Sequence, residues 1–130
     1  MQVLQPAGWA APRGYSNGIA ATGRQVFVAG QIGWSAEGKI VSDDFAAQTR
    51  QALENTVAIL REAGAGPQHI ARMTWYVTDK AEYAAAGRAI GAAYKEVIGK
   101  HYPAMTLVQV AGLLEPGAKV EIESTAVVPD

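Results

Sequence analysis

The sequence predicts an α+β domain: one mixed β-sheet with two helices packed on one face, in the order β-β-α-β-α-β-β over residues 1–130. Three observations carry this expectation. Segments around 19–21, 25–29, 71–77, 102–110 and 120–123 are rich in strand formers, several with apolar residues at alternate positions. Two stretches, about 45–63 and 83–97, keep helical spacing instead. No linker, repeat or low-complexity segment divides the chain, and 130 residues suit a single domain with a real core.

The first strand pair lies at Ile19-Ala20-Ala21 and Gln25-Val26-Phe27-Val28-Ala29, joined by a Thr22-Gly23-Arg24 turn. In the second of these, Val26 and Val28 share one face while Phe27 and Ala29 share the other, so both faces are apolar and both need a cover. Glu37-Gly38-Lys39 reads as a turn, and Ser42-Asp43-Asp44 brings acidic side chains to the positive end of a helix. That helix runs from about Phe45 to Ala63, with Leu53, Val57 and Leu60 inward, Gly64 as its cap and Gly66-Pro67 as a stop. Ala71 to Val77 forms a strand with Met73, Trp75 and Val77 on one side. Asp79 and Glu82 make a capping-box pattern for a second helix, whose stripe of Tyr83, Ile90, Tyr94 and Val97 ends at Gly99. Gly87 and Gly91 are expected to let that helix approach the sheet closely. The last quarter reads as two strands joined through a Pro116-Gly117 turn, with Glu121 and Glu123 opposite Val120 and Ile122. A carboxylate on one strand near the apolar entry of the other makes a reactive corner.

Hydrophobic residues make up 49% of the chain and charged ones 18%, with a net charge of -1 and basic residues scattered singly. Such a composition folds around a core and offers no electrostatic footprint for nucleic acid. With no cysteine and two isolated histidines, thiol nucleophiles, disulfides and most zinc patterns are excluded; neither a metal nor a cofactor is expected. No apolar run approaches the roughly 20 residues that span a bilayer, and no basic-then-hydrophobic leader opens the chain, so the expectation is a cytoplasmic protein without a membrane partner. Two helices cover only one face of a sheet that is apolar on both. The other face is expected to pack against copies of itself.

Tyr102-Pro103-Ala104-Met105-Thr106-Leu107-Val108-Gln109-Val110, followed by Val120-Glu121-Ile122-Glu123, resembles the C-terminal signature of the RidA (YjgF/YER057c/UK114) family. Further markers are Gly14-Tyr15-Ser16-Asn17, Ala29-Gly30-Gln31-Ile32, the run from Gln48 to Asn55, and Val77-Thr78-Asp79, so the resemblance spans nearly the whole chain. It implies a chorismate-mutase-like fold and a homotrimer with small-molecule clefts at the subunit interfaces. It further implies hydrolysis of enamines and imines such as 2-aminoacrylate to ammonia and a 2-keto acid. Relatives have also been labelled ribonucleases, but nothing basic or aromatic here forms a strand-tracking groove. In the deaminases an arginine holds the substrate carboxylate and a strand glutamate positions water. A planar guanidinium fits a carboxylate through two parallel bonds, and a semi-buried carboxyl orients water and moves protons.

Carried over residue by residue, Glu121 matches the glutamate, Tyr15 the site tyrosine, and Gly30 the glycine whose backbone borders the ligand. Met105 stands where the arginine is usual. Gly87 lies where many relatives carry asparagine, Ala29 where serine is usual and Leu107 where some carry cysteine, so polar groups are lost together. A charged hydrogen-bond pair contributes about 1.5–3 kcal/mol, and its loss weakens discrimination for a carboxylate by roughly 10- to 150-fold. The expected site therefore has Glu121 as catalytic carboxylate, with Tyr15, Gly30, Trp34, Met105, Thr106 and Leu107 around a neutral or ring-bearing imine or enamine. Arg13, in the loop before Tyr15, is a candidate to restore the missing charge, and His101 a candidate base; the competing reading makes both plain loop residues. Glu123 and His69 read as structural. The alternative function is a non-catalytic trimer that senses or sequesters an apolar metabolite, or docks a partner enzyme.

Overall fold

Alternating apolar side chains build a four-stranded sheet in the computed structural model, which describes residues 1–130. Its elements are β1 (Gln2–Leu4), β2 (Gly18–Ala20), β3 (Arg24–Gln31), α1 (Phe45–Glu62), β4 (Ile70–Val77), α2 (Lys80–Ala85), α3 (Gly87–Val97), β5 (Ala104–Gln109) and β6 (Val120–Val128). The main sheet has the order β3-β6-β4-β5, with β6 antiparallel to both neighbours and β5 parallel to β4. Strands β1 and β2 form a separate antiparallel ribbon. The sequence pattern missed β1 because three exposed residues carry no alternation.

On β6, Val120, Ile122, Ser124 and Ala126 are buried, and their β4 counterparts Met73, Trp75 and Val77 share that side. Helix α1 covers this face with Ala52, Leu53, Thr56, Val57 and Leu60, and α3 adds Ile90 and Tyr94. Each large apolar side chain buried here contributes about 1.5–3 kcal/mol. The polar residues inside α1 are satisfied locally: the Thr49 and Thr56 hydroxyls donate to Phe45 O and Ala52 O, each at 2.9 Å. Asp44 caps the helix by accepting from Ala47 N at 2.9 Å, and Gly64 follows it with φ 70°.

The second helix is two helices. Ala86 N is shared between Glu82 O and Tyr83 O, and the axis breaks before Gly87, a poor helix former. The break turns Tyr83 inward, edge-on to both Phe45 and Trp75. Only half of the anticipated capping box forms. Asp79 accepts from Ala81 N and Glu82 N, while Glu82 reaches Lys119 Nζ at 2.6 Å instead. Its hydrogen bond with Glu82 is the main reason the Lys119 ammonium is held above the usual lysine range. A raised basic pKa contributes stability below the ordinary lysine value and loses it only at higher pH, so this pair persists throughout the neutral range.

The two C-terminal strands are not neighbours, contrary to the corner the sequence predicts. Strand β5 runs parallel to β4 and is reached through the α2–α3 crossover that a parallel pair requires, while β6 pairs with the other edge of β4. The Pro-Gly turn exists, with Gly117 at φ 87° and Ala118 N donating to Glu115 O, but it sits within a longer connection across β4. That connection is pinned by Gln48, which is fully buried. Its Nε2 donates to Ser42 O at 2.8 Å and Gly117 O at 2.9 Å, and its Oε1 accepts from Lys119 N at 2.8 Å. A Cβ at Gly33 would lie 2.6 Å from Gln48 Cβ, so glycine admits the end of β3 to this knot.

The second face of the sheet has no cover within the chain. Phe27 is 72% exposed there, and Arg72, Thr74, Tyr76, Thr106 and Glu123 line a concavity of about 680 Å³ with it. Apolar character on both sides of β3 is thus matched by a helix layer on one side only.

Candidate functional site

Met105 is in register with core residue Met73 on β4, which directs its side chain toward the helices. There it joins Trp75, Tyr83, Ile90, Tyr94 and Tyr102 around a cavity of about 250 Å³. No lysine, arginine, aspartate, glutamate or histidine lines it. Gly14, Gly87 and Gly91 complete the wall, and a Cβ built on any of them would meet no atom within 4 Å. Gly87 and Gly91 therefore do not bring α3 tightly onto the sheet as expected; they leave a notch. The signal was available in the helical stripe, where glycines fall at the positions between Tyr83, Ile90 and Tyr94 that would otherwise carry large side chains.

Hydrogen bonds organise the aromatic wall. Tyr94 OH donates to His101 O at 2.5 Å, and its ring stacks on Tyr102 with centroids 5.8 Å apart and planes 11° from parallel. Burial, followed by the neighbouring Tyr102, pushes the Tyr94 phenol above its ordinary range, so it remains a neutral donor. Ser16 Oγ donates to Tyr102 O at 2.5 Å and Ser16 N to Pro103 O at 3.0 Å, stapling the 13–17 loop to the start of β5. Gly14 thereby reaches the cavity, and Tyr15, 40% exposed, sits beside it in the loop. Within the wall, Trp75, which is 3% exposed, keeps its indole N–H fully buried without an acceptor.

Glu121 lies on the opposite face of the sheet. It is paired with Tyr76 on β4, and its carboxylate rests over Gly30: a Cβ there would come within 2.6 Å of Oε2 and 2.9 Å of Cγ. Glycine at position 30 is what gives this carboxylate its place. Close by, the Tyr76 hydroxyl donates to Glu123. That hydrogen bond, with desolvation and the charges of Glu123 and Glu121, raises the Tyr76 pKa, against a smaller lowering by Arg72. Tyr76 is consequently a neutral donor on an acidic face.

The anticipated site residues thus fall into separate groups within one chain. Met105 lines the aromatic cavity, with Tyr15 beside its rim, whereas Leu107 packs on the core next to Trp75. Gly30 and Glu121 form one contact on the open face, and Thr106 lies on that same face in the concavity. Trp34 belongs to a small hairpin bridged to Ile40, with its carbonyl accepting from Asn55 Nδ2 at 3.0 Å. His101 spends a ring nitrogen on Ile70 O at 2.6 Å, and Arg13 is exposed in its loop. The sequence reading placed Trp75, Tyr83, Ile90 and Tyr94 in a helix–sheet core and overlooked Tyr102. They are core residues that also wall a cavity, and periodicity cannot separate those roles.

Comparison with known proteins agrees with this architecture. Residues 7–128 match the family model described as endoribonuclease L-PSP. A RutC family protein of Pyrococcus abyssi is 36% identical over 113 residues, covering 86% of this chain and 84% of its own. A 2-iminobutanoate/2-iminopropanoate deaminase of Salmonella typhimurium is 35% identical over 108 residues, 81% of this chain and 80% of its own. Among solved structures, the Rid-family protein YyfB of Yersinia pestis superposes with a TM-score of 0.83 at 35% identity, covering 98% of each chain. The chain belongs to the RidA/YjgF family. No helix in it is long and apolar enough to cross a membrane.

Proposed function

We propose that this protein is an imine/enamine deaminase of the RidA type whose substrate is a small neutral or aromatic metabolite rather than 2-aminoacrylate. The observation that carries the reading is the cavity behind Met105, walled by aromatic side chains and free of ionised ones. A substrate carboxylate placed there would be desolvated with no cation to receive it, whereas a neutral ring would lose little on entering.

Water adds to the carbon of a C=N bond as Glu121 takes its proton and passes it to the nitrogen; the resulting carbinolamine then gives its hydroxyl proton through Glu121 to the amine as the C–N bond breaks, releasing ammonia and leaving a carbonyl compound with Glu121 again ionised. An enamine reaches the same route after a proton moves to its carbon. Backbone groups near Gly30 border the reacting atoms, with Tyr15 and Trp34 as further ligand contacts, alongside Thr106 and Leu107. Because the Met105 cavity and Glu121 face opposite sides of one sheet, a site that uses both calls for a second copy of the chain. A homotrimer with clefts between subunits supplies it, and also covers Phe27 on the open face.

Ammonia release from the N–H imine of acetophenone, set against that from 2-iminopropanoate, tests the proposal. The expected result is a kcat/KM at least tenfold higher for the neutral aryl imine, in line with the 10- to 150-fold attributed above to a missing charged pair. Faster turnover of 2-iminopropanoate would refute the substrate assignment. The lack of any charged group in the cavity also suits a non-catalytic binding trimer. Thermal stabilisation by neutral ring ligands, together with no ammonia release from any imine, would establish that second reading.

A further inference from the structure

We infer that the cavity behind Met105 takes a single neutral ring bearing a hydroxyl group, and that the Tyr83 and Tyr102 hydroxyls are the groups that recognise it. The inference deepens the proposal above by naming a substituent on its ring. It rests on taking this cavity as the ligand site and on no step of the reaction.

Size sets the first limit. At about 250 Å³ the cavity falls below the roughly 300–1,000 Å³ typical of sites for drug-sized ligands, which leaves room for one ring and a small substituent. Charge sets the second. With no ionised side chain in the wall, an anion or a cation would be desolvated without a partner of opposite sign, so the ring and its substituent are neutral. Ile90 and the Met105 thioether supply apolar contact for the body of the ring, and the polarizable sulfur suits an aromatic edge.

The polar groups of the wall name the substituent. Of the tyrosines that line the cavity, Tyr94 has committed its hydroxyl to His101 O, whereas the Tyr83 and Tyr102 hydroxyls make no hydrogen bond within the chain. Neither residue is sealed away: Tyr83 is half-buried with its oxygen open to water, and Tyr102 is 42% exposed. Both rings are held in place. Tyr83 stands edge-on to Phe45 at 6.1 Å and to Trp75 at 6.5 Å, and Tyr102 stacks on Tyr94 at 5.8 Å, so little ordering is left for an arriving ligand to impose. A phenolic hydroxyl both donates and accepts. Two of them are best answered by a ligand group that does the same, donating to one and accepting from the other, as a hydroxyl does and a ketone or ether oxygen does not. A methyl in that place would displace water from the tyrosines and return no hydrogen bond.

Phenol and toluene form a matched pair of probes, alike in ring and size and differing in a hydroxyl against a methyl. A purely apolar cavity favours toluene, because phenol gives up its hydrogen bonds to water on entry. Here phenol is expected to bind at least as tightly as toluene. Titrations followed by the Met105 methyl resonance of methionine-labelled protein, which Met105→Leu identifies by its absence, should show both rings shifting it and so place them in the cavity. Tyr83→Phe and Tyr102→Phe should each weaken phenol about two- to tenfold and leave toluene no weaker. The wild-type preference decides the question even if a variant folds poorly. Toluene binding more tightly than phenol to the wild type would overturn recognition of a hydroxyl, and unchanged phenol affinity in either variant would overturn the role of that tyrosine. Benzoate binding as tightly as phenol would overturn neutrality, and a Met105 resonance that neither ring moves would refute the cavity as the site. If the rings bind as expected but no imine is hydrolysed, the deaminase reading fails and this inference stands. If the neutral aryl imine is turned over while toluene outbinds phenol, the inference fails and the deaminase reading stands.

Discussion

Substitution of Glu121 by glutamine is expected to lower kcat on a neutral imine by about 10²- to 10⁴-fold with little change in KM, the range attributed to a positioned general base. Glutamine keeps the length and shape of the side chain, so the contact with Gly30 survives. What disappears is the ability to take a proton from water. The fold should be unaffected, because the Glu121 side chain makes no hydrogen bond within the chain and projects from the uncovered face, while its backbone pairing with Tyr76 is kept. Steady-state kinetics beside an unfolding curve separate the two effects. Wild-type kcat in Glu121→Gln would show that some other group activates the water.

Replacement of Gln48 by leucine is expected to cost about 2–4 kcal/mol of stability. The substitution removes three hydrogen bonds and strands the Ser42 and Gly117 carbonyls and the Lys119 N–H, each a group that is costly to leave unpaired where water is restricted. Partial access of water to Ser42, Gly117 and Lys119 keeps the figure below that for three fully buried groups. Denaturant unfolding at fixed protein concentration should show a lower midpoint with an unchanged slope. A loss under 1 kcal/mol would mean that the connection before β6 is held elsewhere. The consequence extends to function, since Lys119 lies two residues before Glu121. Its N–H is held by Gln48, its carbonyl by Thr78 N at 3.1 Å and its ammonium by Glu82. Gln48→Leu should therefore also loosen the start of the strand that carries the carboxylate.

Local patterns carried most of the architecture. The spacing of Leu53, Val57 and Leu60, bounded by Asp44 and Gly64, defines α1 to within a residue, because capping and amphipathicity agree there. Strand pairing was less legible. The turn at Pro116-Gly117 is real, yet a turn signal does not reveal that β6 crosses to the far side of β4. Nor does an apolar stripe distinguish a filled helix–sheet contact from one with a notch, which is why Gly87 and Gly91 were read as close-packing residues. Met105 was legible as an absence, a thioether where a guanidinium is usual. The aromatic wall was not, because Trp75, Tyr83, Tyr94 and Tyr102 come from four separate segments, β4, α2, α3 and the approach to β5, that only the tertiary fold brings together.

The central claim is that a thioether in place of a cation has redirected an intact fold toward a different ligand. Rates of ammonia release from 2-iminopropanoate by the wild type and Met105→Arg test it most directly. The account predicts slow turnover by the wild type and a gain of roughly 10- to 150-fold in the variant, as one charged pair is restored. Wild-type turnover equal to or faster than that of Met105→Arg would contradict it.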